Sequence, residues 1–100
     1  MPSTFSETVY DLVAKIPRGK VATYGSIAKR AENAKAARAV GMCMNKNRDT
    51  KCVPCHRVVA STGELTGYAF GGVDAKKKKL IEEGVKFVGD RVDLAKSEWK

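Results

Sequence analysis

The chain has 100 residues, of which 43% are hydrophobic, enough for a single domain with one modest core. Its formal net charge of +8 favours a polyanionic partner, although an excess of Lys and Arg also serves simply to keep a surface soluble. No stretch approaches the roughly 20 apolar residues of a membrane span, and the first residues lack a secretory signal pattern, so we expect a soluble, cytoplasmic protein. Residues 1–100 are therefore predicted to form one domain.

The first half of the chain predicts three helices. A capping box, Thr4-x-x-Glu7, precedes apolar residues at helical spacing, and Pro17 ends this first helix. Thr23 is the predicted N-cap of a second helix, and Asn33 is the predicted N-cap of a third. Because the second and third helices are short and a tight turn joins them, the pattern indicates a helix-turn-helix.

The second half of the chain predicts short strands around one further helix. The sequence RVVASTGEL, which begins at Arg57, combines β-branched residues with a Thr-Gly turn and predicts a strand or small hairpin. Residues 73–83 return to helical spacing before Gly84, and the KKKK run at 76–79 is predicted to be a solvated face of that helix. The tail VKFVGDRVDL predicts a second hairpin. The predicted fold class is mainly α, a winged-helix-like helix-turn-helix domain with short β hairpins.

The segment VPCHRVV places the only histidine of the chain between a cysteine and an arginine. A thiol becomes a nucleophile when a base or a positive field favours its thiolate, so His56 is a candidate base for Cys55. Adjacent side chains of an extended segment point to different sides, and we therefore expect a bridging water rather than direct contact. Glu82 and Glu83, at the end of the fourth helix, are both candidates to fix the tautomer of the imidazole.

Other interpretations of these residues compete with a nucleophile. The dipeptide is also typical of a buried, inert cysteine beside a surface histidine. Cys52-x-x-Cys55 has the spacing of a redox pair, but the strand-to-helix context of a thioredoxin-like fold is absent. A zinc site would combine Cys43 with both of these cysteines and the adjacent His56, and ligation by sequential residues disfavours it. Three cysteines exclude a complete disulfide framework, and we expect neither a metal ion nor a cofactor.

Several motifs, in order, resemble one known family. PCHRV is preceded by VATYGSIA and AARAVG and followed by GYAFGG and LIEEGV, and this set resembles the catalytic domain of the 6-O-alkylguanine-DNA alkyltransferases. The resemblance implies DNA repair in which a damaged guanine is flipped out of the duplex from the minor groove and its alkyl group moves irreversibly to a cysteine. It also implies a monomer whose partner is double-stranded DNA containing alkylated guanine, with no role at a membrane.

The resemblance implies catalytic roles for five residues. Cys55 resembles the alkyl acceptor, and His56 resembles the water-mediated base that Glu83 holds in place. Asn47 resembles the asparagine that braces the turn behind the active site. Tyr68 resembles the residue that closes over the extruded base.

The resemblance also implies a DNA-binding surface. Arg38 resembles the arginine that enters the base stack where the flipped guanine was, and Tyr24 resembles the tyrosine that helps to rotate the target phosphate. The small residues around Arg38 would allow a helix to approach a minor groove closely, although close helix packing favours the same residues. The remaining residues assigned to this surface are Gly25, Asn33, Ala37, Ala39, Gly41 and Ser61.

Two departures from the family pattern define an alternative. Full-length members commonly carry an amino-terminal domain that this sequence lacks. Its small size and the tail GDRVDLAKSEW resemble the alkyltransferase-like proteins, which bind alkylated guanine and signal to excision repair without transferring anything. A tryptophan replaces the acceptor cysteine in those proteins, whereas Cys55 occupies the position here. The predicted function is therefore a minimal, single-turnover alkyltransferase, and the alternative is a sensor whose partners are excision-repair proteins.

Overall fold

The computed structural model describes residues 4–47, 52–65 and 72–99, which form short helices around two small pairs of strands. The helices are α1 (Phe5–Ala14), α2 (Tyr24–Arg30), α3 (Ala37–Lys46), α4 (Gly72–Glu82) and α5 (Leu94–Ser97), with a 3-10 helix at Cys55–Arg57. The strands are β1 (Ala22–Thr23), β2 (Val58–Val59), β3 (Phe87–Val88) and β4 (Arg91–Val92). This is the predicted mainly helical class. No helix in the described ranges has both the length and the apolar character that crossing a membrane requires.

Helix α1 begins where the capping box predicts. Thr4 Oγ1 accepts a hydrogen bond from the Glu7 amide at 3.1 Å, which satisfies one of the free amides of the first turn. Val9 and Val13 lie on one face and are fully buried, together with Ile16 beyond the last turn. The apolar spacing read from the sequence is therefore the face that packs into the core.

The helix-turn-helix is formed by α2 and α3, but the predicted cap of the second helix of the pair was wrong. Thr23 Oγ1 accepts from the Ser26 amide at 3.0 Å and caps α2, as predicted. Helix α3, however, begins at residue 37 with Ala36 at the N-cap position. The amide of Asn33 instead donates to the Ala28 carbonyl at 2.9 Å, so this residue closes α2 rather than opening α3.

The closure of α2 also explains the shape of the turn. Glu32 adopts a left-handed conformation with φ of 63°, and its amide donates to the Lys29 carbonyl at 3.0 Å. These bonds form a Schellman motif, a helix ending that glycine usually provides. A glutamate at this position costs about 1 kcal/mol in backbone strain, which the packing of the two helices offsets.

Strand β2 confirms the predicted strand after the 3-10 helix, but its pairing was not predicted. It lies parallel to β1, with Ala22 opposite Val58, rather than in a hairpin with the residues that follow it. A tight turn does follow: the Gly63 amide donates to the Ala60 carbonyl at 2.8 Å. The parallel pairing matters for function because it holds the start of α2 beside the segment that carries Cys55.

Helix α4 and the second hairpin agree with the sequence. The Gly84 amide donates to the Ile81 carbonyl and the Val85 amide to the Leu80 carbonyl, both at 3.0 Å, so a second Schellman motif ends α4 at a glycine with φ of 91°. Strands β3 and β4 pair in antiparallel fashion on either side of Gly89 and Asp90. This is the predicted Gly-Asp turn.

The lysine run of α4 does not form one solvated face, which corrects the sequence prediction. Lys78 is exposed, but Lys76 is only 1% exposed. Consecutive residues of a helix point about 100° apart, so a run of four identical side chains surrounds the helix rather than lining one side. Lys76 precedes the buried Leu80 by one turn and shares its core-facing side.

Candidate active site and nucleic-acid interface

Cys55 lies at the start of the 3-10 helix, in a tightly turned and buried segment. Its amide donates to the Val53 carbonyl at 2.8 Å across Pro54, and the Arg57 amide donates to the Pro54 carbonyl at 2.9 Å. The whole residue is 5% exposed and packs with the main hydrophobic core. A thiol in this position has a fixed direction and limited access to solvent.

Asn47 connects the end of α3 to this segment. Its Nδ2 donates to the Val53 carbonyl at 2.9 Å, and the residue is buried. The bond holds the backbone two residues before Cys55, so the structure brings Asn47 to the turn that the resemblance assigns to it. The Asn47 side chain therefore joins the end of α3 to the turn that carries Cys55.

His56, Arg57 and Glu83 form a hydrogen-bonded group that we call the relay cluster. His56 Nε2 lies 2.9 Å from Glu83 Oε1, and the Arg57 guanidinium binds both carboxylate oxygens, with Nε 2.9 Å from Oε1 and Nη2 2.6 Å from Oε2. Arg57 also donates through Nη1 to the Ile16 carbonyl at 2.8 Å. The structure therefore selects Glu83 of the two candidate carboxylates, since Glu82 is exposed at the end of α4.

The relay cluster sets the charge of both titratable partners. Burial lowers the pKa of His56, and the hydrogen bond and charge of Glu83 recover only part of that shift because Arg57 and Lys79 oppose them. For Glu83, burial alone would raise the pKa, but hydrogen bonds from Arg57 and His56 outweigh it and bring the pKa below its ordinary value. At neutral pH the cluster is thus a neutral imidazole, a carboxylate and a guanidinium.

The charge state fixes the tautomer of His56. A carboxylate only accepts hydrogen bonds, so the imidazole must carry its proton on Nε2, where Glu83 accepts it. The other ring nitrogen, Nδ1, is then a bare acceptor. It is fully buried and has no hydrogen-bond partner among the described residues.

Lys76 is a further charged group at this site that the sequence interpretation missed. Its Nζ donates to the Val58 carbonyl at 2.7 Å and lies 6.0 Å from the centre of the Tyr24 ring. Burial lowers the pKa of Lys76 to about 8, and the nearby Cys55 offsets only part of this shift. The signal in the sequence was its spacing of four from Leu80, which the uniform lysine run obscured.

A concave pocket with a volume of about 780 Å³, which we call the groove, opens between α2, α3 and the turn after β2. It brings together six of the eight predicted DNA-binding residues, while Asn33 and Ala39 lie outside it. Met42, Asn45 and Ala60 also line it and were not predicted. The lining residues are Tyr24, Gly25, Ala37, Arg38, Gly41, Met42, Asn45, Ala60 and Ser61.

The glycines of the groove are not required by the packing of the protein. A Cβ at Gly25 would meet nothing within 4 Å, and one at Gly41 would make only an ordinary contact of 3.9 Å with the Tyr24 ring. Close helix packing, the alternative explanation for the small residues near Arg38, therefore does not account for Gly41. Their effect is to leave the outer surface of the helix pair open to a backbone that approaches from outside.

The groove carries positive charge. None of its lining residues is acidic, and Arg38 is exposed in it. The wider stretch from residue 24 to 47 has Glu32 as its single acidic residue, against the basic residues Lys29, Arg30, Lys35, Arg38 and Lys46. The surface therefore suits an anionic ligand.

Tyr68, the remaining residue with a predicted catalytic role, falls outside the described residues. Cys43, Cys52 and Cys55 form no disulfide with one another, and Cys43 is buried while Cys52 is exposed. Among the described residues, no group of three or more His, Cys, Asp or Glu is placed to hold a metal ion.

The fold and this arrangement define a helix-turn-helix domain that carries a candidate cysteine nucleophile beside a basic groove. The family model described as 6-O-methylguanine DNA methyltransferase, DNA binding domain, matches residues 4–85. The methylated-DNA--protein-cysteine methyltransferase of Methanosarcina mazei is 48% identical over 84 residues, which are 82% of this chain and 52% of that protein. The chain therefore belongs to the 6-O-methylguanine DNA methyltransferase family.

Solved structures show the same fold. S. pombe Atl1, crystallised in complex with damaged DNA containing O6-carboxymethylguanine, superimposes with a TM-score of 0.82 at 36% identity, over 96% of this chain and 94% of that one. Mycobacterium tuberculosis OGT in complex with DNA gives a TM-score of 0.76 at 38% identity, over 83% of this chain and 50% of that one. The chain spans about half or less of the length of the curated relatives it matches.

Proposed function

We propose that this chain repairs DNA by moving an alkyl group from the 6-oxygen of guanine in a duplex to the sulfur of Cys55. The observation that carries the proposal is the geometry of His56, whose Nε2 lies 2.9 Å from Glu83 Oε1 and whose buried Nδ1 has no hydrogen-bond partner among the described residues. Membership of the family supports both the chemistry and the ligand. The free thiol of Cys55 supports transfer rather than binding alone.

The proposed reaction begins with a proton transfer. The Cys55 thiol gives its proton through one bridging water to His56 Nδ1, and the imidazolium that forms is stabilised by the carboxylate of Glu83. The thiolate attacks the alkyl carbon, so a sulfur–carbon bond forms as the bond from that carbon to the guanine oxygen breaks. The oxygen keeps the electron pair of the broken bond, and the guanine takes up the proton that the imidazolium holds. No cofactor is needed, and the thioether product does not regenerate the thiol.

Two cations support this reaction in different ways. Arg57 holds both oxygens of Glu83 and so positions the carboxylate. Burial, with a smaller contribution from the charge of Arg57, lowers the pKa of His56 and keeps the ring neutral before the reaction. Lys76 carries a positive charge below pH 8 and lies close enough to Cys55 for their charges to interact. An ammonium beside a sulfur favours the thiolate. Lys76 therefore places a positive charge near the attacking sulfur without taking part in proton transfer.

The groove is the proposed DNA-binding surface. Arg38 is exposed on the open face of α3, where it fills the space left in the base stack by an extruded guanine. Flipping a base costs a few kcal/mol of lost stacking, and an inserted side chain offsets part of that cost. Tyr24 lines the same groove at the start of α2 and is the proposed contact to the phosphate of the flipped nucleotide.

A damage sensor is the second candidate function, and one observation favours it. S. pombe Atl1 superimposes over 96% of this chain with a TM-score of 0.82, whereas Mycobacterium tuberculosis OGT in complex with DNA superimposes over 83% of it with a TM-score of 0.76. In this alternative the chain binds alkylated guanine and recruits excision-repair proteins, and Cys55 is not used. The groove and its charge serve both functions equally well.

Intact-mass spectrometry separates the two functions. The protein is incubated with excess duplex that contains O6-methylguanine, and peptide mapping locates the added group. Transfer predicts one methyl group per molecule, on Cys55, with no further turnover. The Cys55→Ser variant is the matched control and should gain nothing. A wild type that binds the duplex but remains unmodified would support the sensor, and a label on Cys43 or Cys52 would overturn the proposed site.

A further inference from the structure

Met42 is an exposed apolar residue in a place where the fold does not need one. Four large hydrophobic side chains in the described parts of the chain are exposed, namely Met42 (55%), Val73 (43%), Ile81 (54%) and Val88 (65%). Of these, Met42 is the one that lines the groove. The other groove residues are small, or carry a hydroxyl, amide or guanidinium group.

The position of Met42 on α3 places it on the same face as Arg38. It follows Arg38 by four residues and precedes Asn45 by three, and all three side chains line the groove. The intervening Cys43 and Met44 point inward and are buried, Met44 to 6% exposure. Two methionines of one helix thus have opposite environments, and only Met44 belongs to the hydrophobic core.

A ligand that fills the groove must offer an apolar surface to the exposed thioether of Met42. Around it, the guanidinium of Arg38 and the amide of Asn45 are suited to phosphates and base edges. In the minor groove, the rings of the deoxyribose backbone provide such an apolar surface. Methionine is among the side chains that proteins insert into minor grooves, where they widen the groove and unstack base steps.

The geometry of the helix sets the distance between the two contacts. Four residues of an α-helix advance about 6 Å, whereas successive base pairs lie about 3.4 Å apart along each strand. With α3 lying along the minor groove, Met42 would reach the duplex between one and two base pairs from the point where Arg38 enters.

We propose that Met42 is a second positioning residue on the DNA, and that it packs on the deoxyribose wall one to two base pairs from the flipped guanine. It supports the opened minor groove while Arg38 occupies the vacated stack. This inference rests on the proposed function, because it takes the groove to be the DNA surface. It names an apolar contact within a surface that otherwise binds through charge and hydrogen bonds.

The test compares three substitutions of Met42 with a control elsewhere. Met42→Ala removes the contact, Met42→Gln keeps the length but adds polarity, and Met42→Leu keeps the apolar character. Val88→Ala removes an equally exposed apolar side chain from the β3–β4 hairpin. Each variant is assayed for binding to duplex containing O6-methylguanine and for single-turnover transfer from that duplex and from free O6-benzylguanine.

We expect Met42→Ala and Met42→Gln to weaken duplex binding about three- to tenfold, the scale of one lost apolar contact. Both should slow transfer from the duplex more than transfer from the free base, while Met42→Leu and Val88→Ala should behave like the wild type. Equal losses on both substrates, or a Gln variant as good as Leu, would overturn the inference. Unchanged thermal unfolding of the variants excludes a folding defect.

Failure of the proposed function would be distinguishable from failure of this inference. If the wild type binds the duplex but accepts no alkyl group, the proposed transfer reaction is wrong. The binding of the Met42 variants to the duplex can still be compared in that case. A wild type that does not bind duplex DNA overturns both proposals at once.

Discussion

The relay cluster and the groove occupy neighbouring parts of one small domain but are built in opposite ways. In the relay cluster the polar side chains are largely buried and bind one another, from His56 Nε2 through Glu83 to Arg57 and the carbonyl of Ile16. The groove presents exposed side chains above glycines that the packing does not require. The groups of the proposed reaction are thus arranged before any ligand binds, while the proposed DNA surface leaves space that a ligand fills.

This difference predicts that changes in the relay cluster or at the neighbouring Cys55 affect transfer from every substrate, whereas changes in the groove affect only duplex DNA.

The largest effect should come from Cys55. Replacing Cys55 by Ser should abolish transfer and leave duplex binding within about twofold, because the thiol contributes chemistry and little contact area. Gel-shift titration beside single-turnover assays measures both properties. A Cys55→Ser variant that no longer binds would show that the two regions are not separate.

Changes to the base should come next. His56→Ala and Glu83→Gln should slow transfer at least about 100-fold, because general-base catalysis commonly contributes that much. The loss should be the same for duplex and for free O6-benzylguanine, since neither residue lies in the groove. Glu83→Gln also leaves Arg57 without its anion, so thermal unfolding must be measured alongside. Loss on duplex alone would contradict the assignment of these residues to the chemistry.

The lowered pKa of Lys76 should make the free energy of unfolding depend on pH above pH 8. Its pKa is lowered from 10.5 to about 8 by burial, so between these values the unfolded chain binds a proton that the folded chain does not. The free energy of unfolding should therefore rise by about 3 kcal/mol from pH 8 to pH 10.5 relative to a Lys76→Met variant. Urea unfolding at several pH values measures this difference. If the free energy of unfolding depends on pH in the same way in both proteins, burial does not lower the pKa of Lys76.

Arg38 and Tyr24 should give the smallest of these effects. Arg38→Ala should slow transfer from duplex about tenfold, because the inserted side chain offsets only part of the cost of flipping. Transfer from free O6-benzylguanine should change much less, since that base is already unstacked, and Tyr24→Ala should behave in the same way. The ratio of the two single-turnover rates is the relevant measurement. An equal loss on both substrates would make Arg38 a structural residue.

The sequence predicted the parts of the molecule that local chemistry determines. Thr4 and Thr23 cap their helices because a hydroxyl next to free amides acts locally, and Gly84 ends α4 for an equally local reason. The motif order likewise pointed to Cys55, His56 and Glu83 together. The chemistry of the residues alone left Glu82 and Glu83 open, because only the folded chain shows which of them Arg57 reaches.

The errors arose where the position of a residue in the folded chain outweighs its own chemistry. Asn33 has the chemistry of an N-cap, but its amide closes the preceding helix. The parallel pairing of Ala22 with Val58 joins segments far apart in the chain, and no local pattern specifies it. Lys76 sits within a charged run and is nevertheless buried, because helix geometry turns it toward Leu80. Met42 was not selected because a single apolar residue on a helix is ordinary until its exposure in a groove is known.

The most direct test of the central claim is the protonation state of His56, the only histidine in the chain. Nitrogen NMR of the labelled protein resolves the two ring nitrogens of this residue without an assignment problem. At pH 7 we predict a neutral imidazole with its proton on Nε2 and a bare Nδ1, which is protonated only at a pH below the ordinary value of 6.5. A doubly protonated ring at pH 7, or a proton on Nδ1, would contradict a histidine prepared to take a proton from Cys55.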